Sequence, residues 1–366
     1  MNASCALLKP ESNGDKRMKV TKLKVLFLAA VVSAAASAVA GPIGYGAATT
    51  GGGSKTPINV ATLADAQARI NAYTDNSGLV LRYTGKFDYN TITDVCAQWQ
   101  KPAQTLEIKN KSNITIIGAS DSSANFGIHI AGNAHNIIVQ NMMIGLLQGG
   151  EAADSISIEG MSSGQPSNIW IDHNTIFASL TSCPGAGDAS FDGGIDMKKG
   201  AHHITVSYNH VYNYQKVALN GYSDSDTANA NARTTYHNNR FEHVKARLPL
   251  QRFGMTHIFN NYFNDVRTSG INVRMDGVSL IEANYFENVK NPVTSRDSSR
   301  IGYWELRNNY VGSGITWDTP SGAVNATNWG STQSYGPTGY SYAPIAGIDV
   351  KAKAIATAGA RTNLAQ

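Results

Sequence analysis

Apolar and polar residues alternate in a series of short segments, and each segment runs into an asparagine. "NIIVQN" ends at Asn141, "NIWIDHN" at Asn174, "HITVSYN" at Asn209 and "RTTYHNN" at Asn239. "HIFNN", "LIEAN" and "ELRNN" end at Asn261, Asn284 and Asn309. Alternation with a period of two predicts strands with one buried face. The asparagines are 33, 35, 30, 22, 23 and 25 residues apart, and a recurring unit of that length marks a solenoid. Leucine-rich repeats share the period, but the L-x-x-L-x-L signature is missing, and propeller blades need about 40 residues or more. The pattern therefore predicts an all-β fold, a right-handed parallel β-helix with one coil per unit. Asparagines stacked at successive bends can hydrogen-bond along the stack, and Asn tolerates the left-handed backbone that suits a turn. Tyr and Phe often follow the asparagine ("NYFND", "NYFEN") and are expected to stack on the coil surface or in the core.

Both ends of such a coil need a cover. In "NVATLADAQARINAY" (59–73), Val60, Leu63, Ala66 and Ile70 fall at helical spacing and predict a short N-terminal capping helix. The tail after Val311, rich in Gly, Ser and Tyr, is expected to pack on the side or far end of the coil. The last three units are short, while the earlier three carry 5–13 extra residues. Extra residues on a rigid scaffold are loops, where sites are usually built.

The first 40 residues change how the composition reads. A basic start (Lys19, Lys22, Lys24), an apolar run from Val25 and small residues before Gly41 predict a secretory signal cut after Ala40, with Met18 as a possible true start. The chain of 366 residues has a formal charge of +4, but residues 41–366 carry 24 Lys/Arg against 24 Asp/Glu. A neutral chain gives no general attraction to nucleic acid or a membrane, so any basic site is a local cluster. The expectation is a secreted, extracellular monomer with a single domain over 41–366. Cys96 and Cys183 are the cysteines that remain, and in an exported protein they predict one disulfide. Neither has a Cys or His at metal-ligand spacing.

Charges cluster in the longer units. Lys216 lies seven residues after Asn209 and Arg247 eight after Asn239. Similar offsets place the two on one side of the solenoid, about 4.8 Å apart per rung, although a slip of one residue reverses the face. In "ARLPLQRFG", Arg252 would face opposite to Arg247 along an unbroken strand, so a bend at Pro249 is expected. Two neighbouring cations repel unless an anion lies between them. Asp154, Asp192 and Asp196 come from the preceding coils. Three carboxylates form a candidate oxygen-ligand site for Ca²⁺, whereas Zn²⁺ favours histidine and His202 and His203 are adjacent, with opposed side chains. A hard cation beside a cation cluster suggests an acidic polysaccharide.

"NIWIDHN", "FDGGIDMKKGAHHITVSYNHVYNYQKVALNGYSDSD", "ARLPLQRFG" and "SGINVRMDG" together resemble the bacterial pectate lyases of polysaccharide lyase family 1. The likeness runs from about Gly41 through the tail. It implies Ca²⁺-dependent cleavage of polygalacturonate by β-elimination. It also implies that Arg247 is the base that removes the C5 proton, that Lys216 contacts the substrate carboxylate, and that Arg252 binds that carboxylate or supports Arg247. Lys198 and Arg274 match substrate-binding cations, and Asp154, Asp192 and Asp196 match calcium ligands. Where the family commonly shows Asp-x-Asp, this chain has Ala152-Ala153-Asp154. One carboxylate fewer should weaken metal binding unless Glu151, water or substrate compensates.

Rival readings remain. A pectin lyase would act on methyl-esterified polymer, but Asp192, Asp196 and Lys216 argue against so neutral a substrate. In a polygalacturonase-type hydrolase, Asp192 and Asp196 could act as paired acids roughly 6.5–9.5 Å apart, but the cations then have no role. A β-helical adhesin without activity would leave the Arg247–Arg252 segment unexplained. Asp172 and His173 of the W-I-D-H segment read equally as loop-ordering residues, and Arg296 fits a capped turn better than a substrate contact.

Overall fold

In the computed structural model, residues 41–186 and 190–361 are described; the predicted signal lies outside them. Each alternating segment forms a strand that pairs in parallel with its counterpart one coil away. The first face of the coil stacks ten strands, from Ile58–Val60 to Tyr303–Arg307. Two further faces are joined in a second sheet. One full coil illustrates the path: His202–Ser207 on the first face, His210–Tyr212 on the second and Lys216–Asn220 on the third. This is the parallel β-helix expected from the repeat. Strand pairs are parallel throughout except where Val324–Asn325 of the tail adds antiparallel to Val293–Ser295.

Alternation sends every second side chain into the lumen, where Ile171, Val206, Ile258 and Ile281 are fully buried. On the second face Phe241, Phe263 and Phe286 stack inside, with rings 5.4 and 4.8 Å apart. The tyrosines that precede two of them, Tyr262 and Tyr285, pack edge to face outside the coil.

The asparagine ladder is built as predicted, with one correction. Asn174, Asn209, Asn239, Asn261, Asn284 and Asn309 each accept, through Oδ1, the backbone N–H of the preceding rung at 2.9–3.0 Å. The Nδ2 groups of Asn174, Asn209, Asn239, Asn261 and Asn284 donate to the next asparagine, as from Asn209 to Asn239 (3.0 Å). The left-handed residue is the one before each ladder asparagine: His173, Tyr208, Asn238, Asn260, Ala283 and Asn308. Asn141 is itself left-handed (φ 56°), and the rung below Asn174 is Met142. A repeat counted from asparagines alone slips by one here.

The helix Leu63–Ala72 covers the N-terminal end. Thr62 caps it by accepting the Asp65 N–H at 3.0 Å, and Ala66 and Ile70 are buried. Val60, expected in the helix, instead ends the first strand. Its β-branched side chain suits the sheet, and the cap at Thr62 fixes where the helix starts. The Cys96–Cys183 disulfide is formed, with Cα atoms 5.3 Å apart.

The tail runs back along the side of the coil. Tyr340 and Tyr342 cover His257 and Phe259, and the helix Val350–Thr357 packs Val350 and Ala354 on Tyr262. The backbone N–H groups of Gly359, Ala360 and Arg361 then donate to Tyr208, Thr175 and Asn141. The strap thus ends several coils before the point where it began.

Candidate active site

All eight predicted site residues lie on or immediately beside the third face. The strands Asp192–Lys198, Lys216–Asn220, Leu250–Arg252 and Ile271–Arg274 are consecutive neighbours in that layer. Asp154 sits just before the strand Ile156–Glu159 on the other side. In the strand Asp192–Lys198, Ile195 and Met197 point into the core, which turns Asp196 and Lys198 outward.

The register explains the one-residue mismatch between Lys216 and Arg247. Lys216 pairs with Ala246, not Arg247. The strand Arg240–Ala246 ends there, Arg247 is left-handed (φ 68°), and the Leu248–Pro249 bond is cis. The expected break near Pro249 is present. The left-handed φ of Arg247 brings its side chain to the face that Lys216 occupies. The Lys216 Nζ lies 2.6 Å from Asp192 Oδ2, and Arg247 Nη1 donates to Asp192 Oδ1 at 3.1 Å. The anion between the two cations is the protein's own Asp192.

A second cluster adjoins the first. Lys198 Nζ is 2.6 Å from Asp154 Oδ2 and 3.5 Å from Asp196 Oδ2. Burial favours the neutral amine, but Asp196 and Asp154 hold Lys198 well above the usual lysine range. Asp196 is only 4 % exposed. Burial, and then the charge of Asp154, push its carboxyl up to about 8. Gly193 makes this crowding possible: its φ is 102°, and a Cβ there would stand 1.8 Å from Asp154 Oδ1. A cleft of ≈ 420 Å³ opens over Asp154, Asp192, Asp196, Lys198 and Arg247, with Glu151 and Glu159 on its rim.

Further along the face, Arg252 pairs in register with Arg274. Arg274 is buried and lies 3.5 Å from Asp297. Burial, and then the guanidinium of Arg252, push it down to about 10.

The carboxylates suit a hard divalent cation. Every donor is an oxygen, and crowding at Asp154 and Asp196 leaves negative charge that a cation would relieve. As the side chains stand, however, each carboxylate faces a lysine or arginine. Among the described residues no three His, Cys, Asp or Glu groups converge as a ligand set. Glu151, one of the groups that could compensate for Ala152, borders the cleft.

The W-I-D-H segment proves structural. Fully buried Asp172 accepts from Gln140 Nε2 (2.7 Å) and Ser207 Oγ (2.6 Å) and lies 2.7 Å from His173 Nδ1, all on or beside the first face. Arg296 is likewise held inside, donating to Asp318 at 2.6 Å. The sequence reading missed Asp224, which accepts from Arg252 Nε at 2.8 Å. It also missed Tyr222, 47 % exposed at the cleft wall. Both come from the "NGYSDSD" loop, where no period marks position.

Comparison with known proteins shows the family. The profile described as pectate lyase matches residues 17–363. The chain belongs to the pectate lyase family. Pectate lyase 3 of Pectobacterium carotovorum subsp. carotovorum is 45% identical over 303 residues, covering 78% of this chain and 79% of that protein. Pectate lyase II from Xanthomonas campestris pv. campestris is 70% identical, with a TM-score of 0.87 over 89% of this chain and 100% of its own. Pectate lyase C from Erwinia chrysanthemi was solved at pH 9.5 with 30 mM Ca²⁺. It is 37% identical, with a TM-score of 0.81 over 89% of this chain and 98% of its own. Among the described residues no helix is long and apolar enough to cross a membrane.

Proposed function

We propose that this protein cleaves polygalacturonate by β-elimination in the third-face cleft. The observation that carries the reading is the convergence of Lys216 and Arg247 on Asp192, beside Asp154 and Asp196. Arg247 takes the C5 proton of a galacturonate unit. The negative charge that builds on the adjacent uronate carboxylate is held by Lys216 and Arg252, so it is stabilised where it develops. The C4=C5 double bond forms as the bond from C4 to its glycosidic oxygen breaks; the oxygen leaves with the neighbouring unit and takes up a proton from water, and a 4,5-unsaturated sugar remains. Lys198 and Arg274 bind neighbouring carboxylates.

Asp154, Asp192 and Asp196 would hold Ca²⁺, which when bound neutralises the uronate carboxylate and makes the C5 proton more acidic. To serve the substrate, Lys198, Lys216 and Arg247 exchange their present carboxylate partners for uronate oxygens. A guanidinium has to give up its proton before it can act as a base. An alkaline optimum follows, because general-base efficiency is greatest near the pKa of the base. The protein acts outside the cell as a monomer, with residues 41–366 as one catalytic unit and 1–40 as its export leader.

The test compares polygalacturonate with methyl-esterified pectin, reading ultraviolet absorbance of the unsaturated product with calcium and with chelator. Calcium-dependent absorbance from polygalacturonate is expected, with little from the ester. Absorbance from the ester that survives chelation would indicate a pectin lyase. New reducing ends without absorbance would indicate a hydrolase.

A further inference from the structure

Arg252 is gripped from three directions by one loop. Its backbone carbonyl accepts from Asn229 Nδ2 at 2.6 Å, and Asn229 is fully buried. Its Nη1 donates to the Gly221 carbonyl at 3.0 Å, and its Nε to Asp224 Oδ1 at 2.8 Å. Asp224 is itself fixed from a distant segment: Ser298 Oγ donates to both of its oxygens (3.0 and 3.1 Å), and the Ser299 N–H donates to Oδ2 at 2.8 Å. Burial raises the Asp224 carboxyl, but the Ser299 N–H, Arg252 and the serine hydroxyls hold it down to about 2. It is therefore an anion throughout the working pH range.

An arginine in a polyanion cleft needs this kind of support. A long side chain beside the cationic Arg274 gains by swinging into solvent, and its Nη2 edge must still point at an incoming carboxylate. We propose that Asp224 is a positioning residue that locks Arg252 through its Nε, leaving the Nη2 edge to the substrate carboxylate. The inference rests on the role assigned to Arg252 above. It places a carboxylate near an anionic substrate, so geometry and charge pull in opposite directions. Positioning prevails because the Asp224 oxygens already accept from Arg252, Ser298 and Ser299. A charge-assisted bond of this kind is about twice as strong as a neutral one, and it is formed before substrate arrives.

A double-mutant cycle tests this, with Asp224→Asn, Arg252→Ala and the double variant assayed on polygalacturonate at saturating calcium. Each unfolding midpoint is measured alongside. Asp224→Asn is expected to lower kcat/KM about tenfold, with much of the loss recovered in Asp224→Glu. Arg252→Ala should lose more, and the double variant no more than Arg252→Ala, since residues acting as a unit are not additive. Wild-type kinetics in Asp224→Asn, higher activity, or losses that multiply in the double variant would overturn the inference. Wild-type kinetics in Arg252→Ala would remove the reading of Arg252 beneath it. If Asp224→Asn does not fold, Ser298→Ala strips a donor from the carboxylate without touching Arg252. It should show the same non-additivity at about threefold, and full additivity there would equally overturn the proposal.

Discussion

At the scale of single residues, the cleft is a set of paired charges, Asp192 with Lys216 and Arg247, and Asp154 and Asp196 with Lys198. Asp196 is the most deeply held of the three candidate ligands. Asp196→Asn is expected to weaken calcium binding, measured by titration calorimetry, by about tenfold or more, since affinity follows ligand charge. Binding that is unchanged would move the metal away from this cleft. His237, remote from the cleft, carries a separate pH signature. Burial pushes it down to about 4, and its ring stacks on Phe259 at 5.0 Å. Its folded pKa lies below the unfolded value of about 6.5, so the unfolded chain binds the extra proton between those limits. Stability is full above about pH 6.5 and falls as pH drops towards 4, by about 3 kcal/mol. Denaturant titrations across that window should show the slope, and His237→Phe should flatten it.

At the scale of elements, much was legible because the coil repeats. The period gave the strands, the bends and the face that gathers Asp192, Lys216 and Arg247. It failed where local backbone geometry departs from the repeat. Asn141 looked like a rung, but the rung is Met142, because the left-handed residue and the ladder position are adjacent and both can be asparagine. Arg247 fell one residue out of step, and only its φ of 68° returns it to the cleft. Asp224 was invisible, since it reaches Arg252 from a loop 28 residues away. The ladder should carry real stability. Asn261 accepts from Asn239 and donates to Asn284, the Tyr236 carbonyl and the Phe259 carbonyl, all buried. Asn261→Ala leaves several of these groups unpaired and is expected to cost about 3 kcal/mol or more in equilibrium unfolding.

At the scale of the whole molecule, a rigid coil is fastened at its ends and along one side. The Cys96–Cys183 bridge spans 87 residues of chain. Closing such a loop is worth roughly 4–5 kcal/mol in the chain-entropy model, so unfolding under reducing conditions should shift by that order, and Cys96→Ser should lose the dependence on reductant. The sequence placed the tail only as far as the side or far end of the coil, because its contacts are single aromatic residues and backbone bonds that follow no period. Arg247 is the proposed base of the third-face cleft. The most direct test is the initial rate of unsaturated product from polygalacturonate by Arg247→Lys at saturating calcium and substrate. The expected loss is roughly 10²–10⁴-fold, with calcium binding and unfolding midpoint preserved. A rate near that of the unaltered protein would contradict it.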